Sequence, residues 1–174
     1  MGALFNLFFP WLAHGEMLKV GDAAPEFSTD AVLGDQSTPV KLSDYRGRKV
    51  VLYFYPKDNT PGCTDEGAQF RDLHSKFVNA RVPIFGVSRD TVASHESFKK
   101  KMMFPFELLS DTEERVCTLF GVMKMKNMYG RQVRAIERST FVIDREGRIA
   151  KEWRGVKVPG HAQEVLDYIR SVAL

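Results

Sequence analysis

Two long apolar runs dominate the hydrophobic pattern of the chain, and each ends at a polar or turn-forming residue. Residues 49–55 are Lys-Val-Val-Leu-Tyr-Phe-Tyr, and residues 81–88 are Arg-Val-Pro-Ile-Phe-Gly-Val-Ser. Continuous β-branched and aromatic runs of this length are typical of strands that are buried on both faces. Shorter runs predict an extended segment at 24–27 and strands at 40–46, 106–109, 139–144 and 148–153, the last two joined as a hairpin.

Between these strands the apolar residues follow a helical period. Phe70, Leu73 and Phe77 lie at i, i+3 and i+7 and predict a helix that begins near Thr60. Further helices are expected at 91–103, at 111–120 with Asp111 as the cap, and at 161–172. The resulting order is strand, helix, strand, helix, strand, helix, hairpin, helix. This order predicts an α/β fold with a central mixed β-sheet flanked by helices.

The first sixteen residues differ from the rest of the chain. They are mostly apolar, with Phe5, Phe8, Phe9 and Trp11 close together, and no Lys or Arg precedes Lys19. The segment is too short to span a membrane and lacks the positive start of a signal peptide. Two interpretations of this segment stay open: a docking segment, and an upstream start codon ahead of a natural start at Met17. Secretion is a third, less favoured interpretation. We therefore predict an apolar extension (1–16), one domain (17–174), a cytoplasmic location and no membrane partner.

Composition and charge narrow the function classes. The chain has 174 residues with 44% hydrophobic and 27% charged residues, as expected of a globular domain. A net charge of +3 is too small to predict a nucleic-acid partner. Two cysteines exclude a disulfide-stapled scaffold, and the four histidines are not paired at ligand spacing, so we predict no metal. The question that remains is why the chain has two cysteines.

Cys63 follows a predicted helix start. Thr60 can cap the helix and Pro61 suits its first position, which places Cys63 in the first turn, where unpaired N–H groups and the helix dipole favour an anion. A cysteine reacts as its thiolate, so this location predicts an exposed, activated nucleophile whose sulfur the Thr60 hydroxyl can reach. A buried core cysteine near a turn is the alternative. No Cys-x-x-Cys pair is present, which excludes an ordinary dithiol oxidoreductase, although a buried strand followed by a helix that starts with cysteine resembles the thioredoxin-like fold.

The residues around Cys63 contain the pattern Pro-x-x-x-Thr-x-x-Cys, and Arg138-Ser-Thr-Phe follows much later in the chain. Together these motifs resemble the peroxiredoxins. The whole stretch 53–66 around Cys63 resembles one bacterial branch of that family, the bacterioferritin comigratory proteins, also called PrxQ. The resemblance extends from about Met17 to the end of the chain. It includes Gly86-Val87-Ser88-x-Asp90, Ser94-His95, Phe98, Leu109-Ser110-Asp111, Phe120-Gly121-Val122 and Trp153-Arg154.

The resemblance implies a role for each matching residue. Cys63 corresponds to the peroxidatic cysteine, which attacks a peroxide oxygen and becomes sulfenic acid. Thr60 corresponds to the hydroxyl that bonds the thiolate and the peroxide, and Arg138 to the arginine that holds the anion and polarises the O–O bond. Pro56 corresponds to the residue that shields the pocket from water. Glu66 corresponds to a residue that orients the arginine, although a helix-dipole role explains it equally well. No cofactor is implied.

The sequence departs from this family at the resolving cysteine. Many PrxQ proteins have it five residues after the peroxidatic one, where this chain has Ala68. Cys117 lies in a predicted helix beside apolar residues, as a buried core cysteine would. We therefore predict a one-cysteine peroxidase whose sulfenate is reduced by an external thiol: thioredoxin, glutaredoxin or glutathione. A Cys63–Cys117 disulfide, with Cys117 as resolving cysteine, is the alternative.

Other properties are less determined. A redox sensor or a binding module with the same fold would also fit the sequence. Hydrogen peroxide and alkyl hydroperoxides are both possible substrates, and Phe54, Met123 and Met125 hint at organic ones if they lie near the site. The resemblance to PrxQ implies a monomer or a weak homodimer.

Overall fold

A strand with large apolar residues on both faces lies near the middle of the structure, as the run 49–55 predicts. The computed structural model describes residues 18–33 and 36–172. The strands are β1 (Ser28–Leu33), β2 (Gln36–Lys41), β3 (Val50–Phe54), β4 (Ile84–Ser88), β5 (Glu107–Ser110), β6 (Met123–Met128), β7 (Arg131–Ile136), β8 (Ser139–Ile143) and β9 (Ile149–Arg154). The helices are α1 (Pro61–Asp72), α2 (His74–Asn79), α3 (Val92–Met102), α4 (Arg115–Leu119) and α5 (His161–Ser171), and a 3-10 helix covers Leu42–Tyr45.

Seven strands form one mixed sheet in the order β2-β1-β5-β4-β3-β8-β9. The three inner strands β3, β4 and β5 are parallel, and β8 joins β3 in antiparallel orientation. In that register Phe54, the last residue of β3, lies opposite Ser139, the first residue of β8. The end of β3 therefore meets the start of β8, and the segments adjoining both strands come together there.

Two hydrophobic cores lie on opposite faces of this sheet. Because side chains alternate along a strand, Leu52 and Phe54 of β3 belong to one core, while Val51 and Tyr53 belong to the other. The core with Phe54 includes residues of the 3-10 helix and of α4, and we call it the α4 core. The core with Tyr53 includes residues of α1, α2, α3 and α5, and we call it the α1 core. Helices thus cover both faces of the mixed sheet, and the predicted fold class is confirmed.

Several predicted boundaries are wrong. The strand expected at 40–46 ends at Lys41, and the next four residues form the 3-10 helix, in which Leu42 is buried. The first predicted helix is interrupted at Leu73, whose ψ of 1° is not helical, so that α1 and α2 are separate. The helix expected at 111–120 begins only at Arg115, because Glu114 has a left-handed φ of 61°. Asp111 still bonds to the start of this helix, since its carboxylate accepts hydrogen bonds from the N–H groups of residues 116 and 117.

Two regions of strand were not predicted. Strand β1 and most of β2 form an antiparallel hairpin at the sheet edge, where Pro39 is tolerated because an edge strand leaves some N–H positions unpaired. Strands β6 and β7 form a separate two-stranded sheet whose residues are mostly exposed. The predicted N-terminal extension lies outside the described residues, and the domain boundary at Met17 stays a prediction. Within 18–33 and 36–172, no helix has the length and apolar character needed to cross a membrane.

Candidate active site

Cys63 lies in the first turn of α1, at the point where the chain leaves β3. Thr60 precedes the helix with extended backbone, Pro61 is the first helical residue, and the Thr64 N–H donates to the Thr60 carbonyl at 2.9 Å. The early N–H groups of a helix have no partner within it, so this turn can stabilise an anion. The predicted exposure of the thiol is wrong, however. Cys63 is only 2% exposed because its side chain belongs to the α1 core.

Arg138 is the residue that contacts the sulfur. It directly precedes β8, and the register of β8 against β3 brings it next to the start of α1. Its Nη2 donates to Cys63 Sγ at 3.4 Å. Gly62 leaves room for this approach, since a Cβ atom there would make a tight contact of 3.1 Å with the same Nη2. Burial alone would lower the pKa of Arg138, but Glu66 and Cys63 raise it, so the guanidinium remains a cation.

Glu66 lies one helical turn after Cys63 and completes the group. Its Oε1 accepts from Arg138 Nη1 at 2.7 Å, so one guanidinium bridges the carboxyl group and the sulfur. The Glu66 side chain is 1% exposed, and its other oxygen, Oε2, is buried without a hydrogen-bond partner. Burial raises the pKa of Glu66 to about 7, while Arg138 opposes the shift. The carboxyl group therefore titrates near neutral pH.

Thr60 and Pro56 lie in the loop between β3 and α1. Thr60 is the N-cap residue of α1, as predicted, but its side chain makes no capping hydrogen bond. Its hydroxyl donates to the Lys57 carbonyl at 2.8 Å instead. A hydroxyl has one proton to donate, so bonding to a thiolate requires this side chain to rotate away from Lys57. Pro56 is half-buried directly after Tyr55. The roles of Thr60 toward peroxide and of Pro56 as a water shield stay predictions.

A buried polar network beneath this loop was not identified from the sequence. Asp58 accepts from Tyr55 Oη at 2.7 Å, from Ser94 Oγ at 2.8 Å and from His95 Nδ1 at 2.8 Å. The other ring nitrogen of His95 faces the carbonyl of Leu109 at 3.1 Å. Both ring nitrogens of His95 thus face oxygen atoms within hydrogen-bond distance. Burial raises the pKa of Asp58, but the hydrogen bonds from His95, Tyr55 and Ser94 outweigh it, and the net shift is downward.

This network ties the loop to the sheet. The Asp58 N–H donates to Asp90 Oδ2 at 2.9 Å, and Ser88 Oγ at the end of β4 donates to the same oxygen at 2.6 Å. Ligand atoms of Asp58, Asp90 and His95 lie within 4.8 Å of one another, a spacing at which they could hold a metal ion. These atoms already bond to protein groups, which explains the cluster as a structural network. The Asp90 and Ser94-His95 motifs in the sequence were the signal for it.

Cys117 is in a different environment. It is fully buried in the α4 core, on the face of the sheet opposite Cys63. Burial and the neighbouring Asp111 carboxylate, which accepts the Cys117 N–H at 2.8 Å, raise the pKa of its thiol far above the ordinary range. Neither cysteine is in a disulfide. The expected packed side chain on a helix face is confirmed.

Three apolar residues considered as a hint of organic substrates do not line the site. Phe54 is buried in the α4 core, and Met123 packs against that same core. Met125 is 57% exposed on β6. Phe54 and Met123 therefore belong to the core on the other face of the sheet, and Met125 is at the surface, so these residues give no support to the choice of substrate.

The arrangement around Cys63 suits nucleophilic attack on a small electrophile. A sulfur anion formed there would face a fixed cation, and the same guanidinium can stabilise negative charge that develops on a leaving oxygen. The site is buried and therefore of low dielectric, which strengthens these interactions. Residues that follow the end of β3 and the residue that precedes the start of β8 thus form one centre.

Comparison with known proteins agrees with this geometry. The AhpC/TSA family matches residues 20–152. The chain is 46% identical over 156 residues to "Peroxiredoxin Bcp" of Bacillus subtilis, a match that covers 90% of this chain and 98% of that protein.

Solved structures give the same result. A PrxQ variant from Xylella fastidiosa is 45% identical, with a TM-score of 0.84 over 90% of this chain and 98% of that one. A bacterioferritin comigratory protein from Xanthomonas campestris, described for its alkyl peroxide reduction activity, is 43% identical, with a TM-score of 0.80 over 88% and 96% of the two chains. The two similarities cover nearly the full length of each relative.

Proposed function

The chain belongs to the AhpC/TSA family and, within it, to the Bcp/PrxQ peroxiredoxins, and on this basis we propose that Cys63 is the peroxidatic residue of a one-cysteine, thiol-dependent peroxidase. The observation that carries the proposal is the contact of Arg138 Nη2 with Cys63 Sγ at 3.4 Å. A nucleophilic sulfur beside a fixed cation is what cleavage of an O–O bond requires, because negative charge develops on the leaving oxygen.

The first half of the cycle uses the residues around the start of α1. The Cys63 thiolate attacks one peroxide oxygen, the O–O bond breaks, and the product is a sulfenic acid and an alcohol or water. Arg138 keeps the sulfur in position and stabilises the departing oxygen, while Glu66 holds the far side of the guanidinium at 2.7 Å. Thr60 donates its hydroxyl to the peroxide after it releases the Lys57 carbonyl, and Pro56 limits access of water.

The second half needs a thiol from outside the chain. Cys117 is the other cysteine of the sequence, and it is buried in the core on the opposite face of the sheet from Cys63. A disulfide requires Cα atoms within about 7 Å, so joining the two would require disruption of a core. This separation supports reduction of the sulfenic acid by thioredoxin, glutaredoxin or glutathione rather than by Cys117.

The substrates are hydrogen peroxide and organic hydroperoxides. The relative from Xanthomonas campestris is described for alkyl peroxide reduction, which supports the organic class. The 2% exposure of Cys63 favours a small peroxide head group and requires the loop before α1 to move before a reductant can reach the sulfur. A cytoplasmic location and a monomer or weak homodimer remain part of the proposal.

Steady-state peroxide consumption with a panel of thiol donors tests the proposal. We expect the wild type and Cys117→Ala to turn over repeatedly and Cys63→Ser to be inactive. Consumption that is unchanged in Cys63→Ser would refute the peroxidase assignment. A single oxidation of Cys63 without turnover, whichever donor is supplied, would instead indicate a redox sensor with the same fold.

A further inference from the structure

Two acids share one cation in the centre around Cys63. Arg138 donates from Nη1 to Glu66 and from Nη2 to Cys63, and both acidic side chains are at most 2% exposed. If both acids were ionised, the site would hold two buried negative charges against one positive charge. Burial of an unbalanced charge is strongly unfavourable. A thiolate at Cys63 and a carboxylate at Glu66 therefore compete for Arg138.

No other charged group in the described part of the chain contacts the Glu66 carboxyl group. On β3, Tyr53 is fully buried, and its raised pKa, due first to burial and then to Glu66 and Cys63, keeps it neutral. On α5, burial lowers the pKa of His161, which contacts Thr140 and Glu164 instead. On α3, His95 is paired with Asp58 (2.8 Å).

The remaining groups around α1 lie apart from the carboxyl. On α2, burial lowers the pKa of His74, which packs against Phe106. On α1 itself, Arg71 bonds to its neighbour Asp72 and to the Met102 carbonyl. Charge balance around Glu66 is thus decided by Arg138 and Cys63.

From this arrangement we propose that Glu66 is the proton store of the peroxidatic site: it is protonated while Cys63 is a thiolate, and it ionises when Cys63 becomes a neutral sulfenic acid. The unpartnered Oε2 is the atom that holds the proton. The pKa of Glu66, raised to about 7 by burial, allows this exchange near neutral pH. The inference rests on the proposed function, since it needs Cys63 to be oxidised by a peroxide.

The oxidation step is then balanced within the site. The Cys63 thiolate, protonated Glu66 and a hydroperoxide give Cys63 sulfenic acid, ionised Glu66 and an alcohol. The O–O bond breaks and an S–O bond forms, so that sulfur loses two electrons and the peroxide gains them. The sulfenic acid keeps the proton of the attacked oxygen. The leaving oxygen takes one proton from Glu66 and becomes the hydroxyl group of the alcohol. The net charge of the centre does not change, because the negative charge that balances Arg138 moves from sulfur to the carboxyl group.

Proton uptake during a single turnover tests this assignment. Reduced protein in weak buffer with a pH indicator is mixed at neutral pH with one equivalent of hydrogen peroxide, and the thiolate absorbance is followed in parallel. We expect almost no net uptake by the wild type and close to one proton per oxidised Cys63 in Glu66→Gln. The control is Glu113→Gln, which makes the same chemical change at an exposed residue and should behave as the wild type.

Infrared difference spectra of the wild type give a second measurement that does not depend on how well the variant folds. We expect a protonated-carboxyl band in the reduced protein that disappears on oxidation, and the band should be missing in Glu66→Gln but present in Glu113→Gln. Equal proton uptake by the wild type and Glu66→Gln, or no carboxyl band in the wild type, would overturn the proton store. Failure of the wild type to consume peroxide at all would refute the proposed function instead.

Discussion

Cys63 and Cys117 lie on opposite faces of the seven-stranded sheet, each buried in its own hydrophobic core. Strand β3 contributes alternate side chains to each of the two cores. The two sulfurs are therefore separated by the central sheet, and a direct bond between them would require one of the cores to open.

The first prediction concerns the oxidised protein. After one equivalent of peroxide we expect a sulfenic acid at Cys63 and no intramolecular disulfide, because Cys117 cannot reach it without disruption of the α4 core. Mass spectrometry of peptides from the non-reduced protein, with a sulfenic-acid trapping reagent, measures both. A Cys63–Cys117 cross-linked peptide would contradict the one-cysteine mechanism. Cys117→Ala serves as the control and should trap the same amount of sulfenic acid.

The second prediction concerns Arg138. Arg138→Ala removes the donor at 3.4 Å from Cys63 Sγ, and we expect peroxide turnover to fall by about 10²–10³-fold, the usual loss for one preorganised donor. The pH at which iodoacetamide alkylates Cys63 should also rise, since the thiolate loses its nearest cation. Arg138→Lys keeps the charge but loses the fork that also holds Glu66, so it should restore only part of the activity. An unchanged alkylation profile in Arg138→Ala would exclude this role.

The third prediction uses the titration of Glu66. A carboxyl group whose pKa is about 7 in the folded protein and 4.5 in the unfolded chain binds its proton more tightly when folded. Its contribution to stability is therefore complete at low pH and is lost as the pH rises from about 4.5 to about 7, by roughly 3 kcal/mol. Glu66→Gln cannot titrate, so the free energy of unfolding of the wild type should fall relative to this variant across that range. Urea unfolding at several pH values measures the difference, and parallel pH curves for the two proteins would rule out a buried titrating carboxyl.

The fourth prediction concerns the network that supports the active-site loop. Asp58→Ala removes the buried carboxylate that accepts from Tyr55, Ser94 and His95, and leaves these three donors without their acceptor. Each buried donor left unsatisfied costs about 1–3 kcal/mol, so we expect a larger loss of stability than from any change of one donor. The pKa of Asp58 is lowered in the folded protein, so this stabilisation is present at neutral pH and is lost in acid as the carboxylate becomes protonated. Urea unfolding at neutral and at acidic pH measures it. Ser94→Ala removes one neutral donor to the same carboxylate and should cost only about 1 kcal/mol. An equal loss in both variants would show that the Asp58 carboxylate does not hold the network together.

The elements predicted correctly are those whose own residues determine their structure. Strands β3 and β4 are apolar on both faces, which only a central strand explains, and Pro61 marks the start of α1. Strands β6 and β7 were missed because their side chains are mostly exposed and rich in charged and polar residues, so that neither strand has the buried apolar run that identifies β3 and β4. The helix α4 was placed too early because the left-handed backbone of Glu114 is not visible in the composition of that segment.

The active site, too, could be predicted from local sequence only in part. The position of Cys63 in a first turn follows from its neighbours, but Arg138 is 75 residues away, and only the register of β8 against β3 brings the two together. Resemblance to a family supplied that residue, since nothing local distinguishes it from an arginine in a surface salt bridge. The burial of Cys63 was missed because it depends on aromatic residues from several helices that pack around the site.

The last prediction concerns the residue that stands in place of a resolving cysteine. Ala68 lies in α1, five residues after Cys63, so the helical rise alone separates their Cα atoms by about 7.5 Å, more than a disulfide allows. In Ala68→Cys a disulfide between Cys63 and the introduced cysteine can therefore form only if the first turns of α1 unwind. We expect peroxide to produce this disulfide and to lower the helical signal in circular dichroism, and the protein should then be reduced more readily by a dithiol than by a monothiol. The matched control is Ala68→Ser, which should keep the sulfenic acid and the helix. If Ala68→Cys formed the disulfide with no loss of helical signal, the claim that α1 must unwind to join the two cysteines would be wrong.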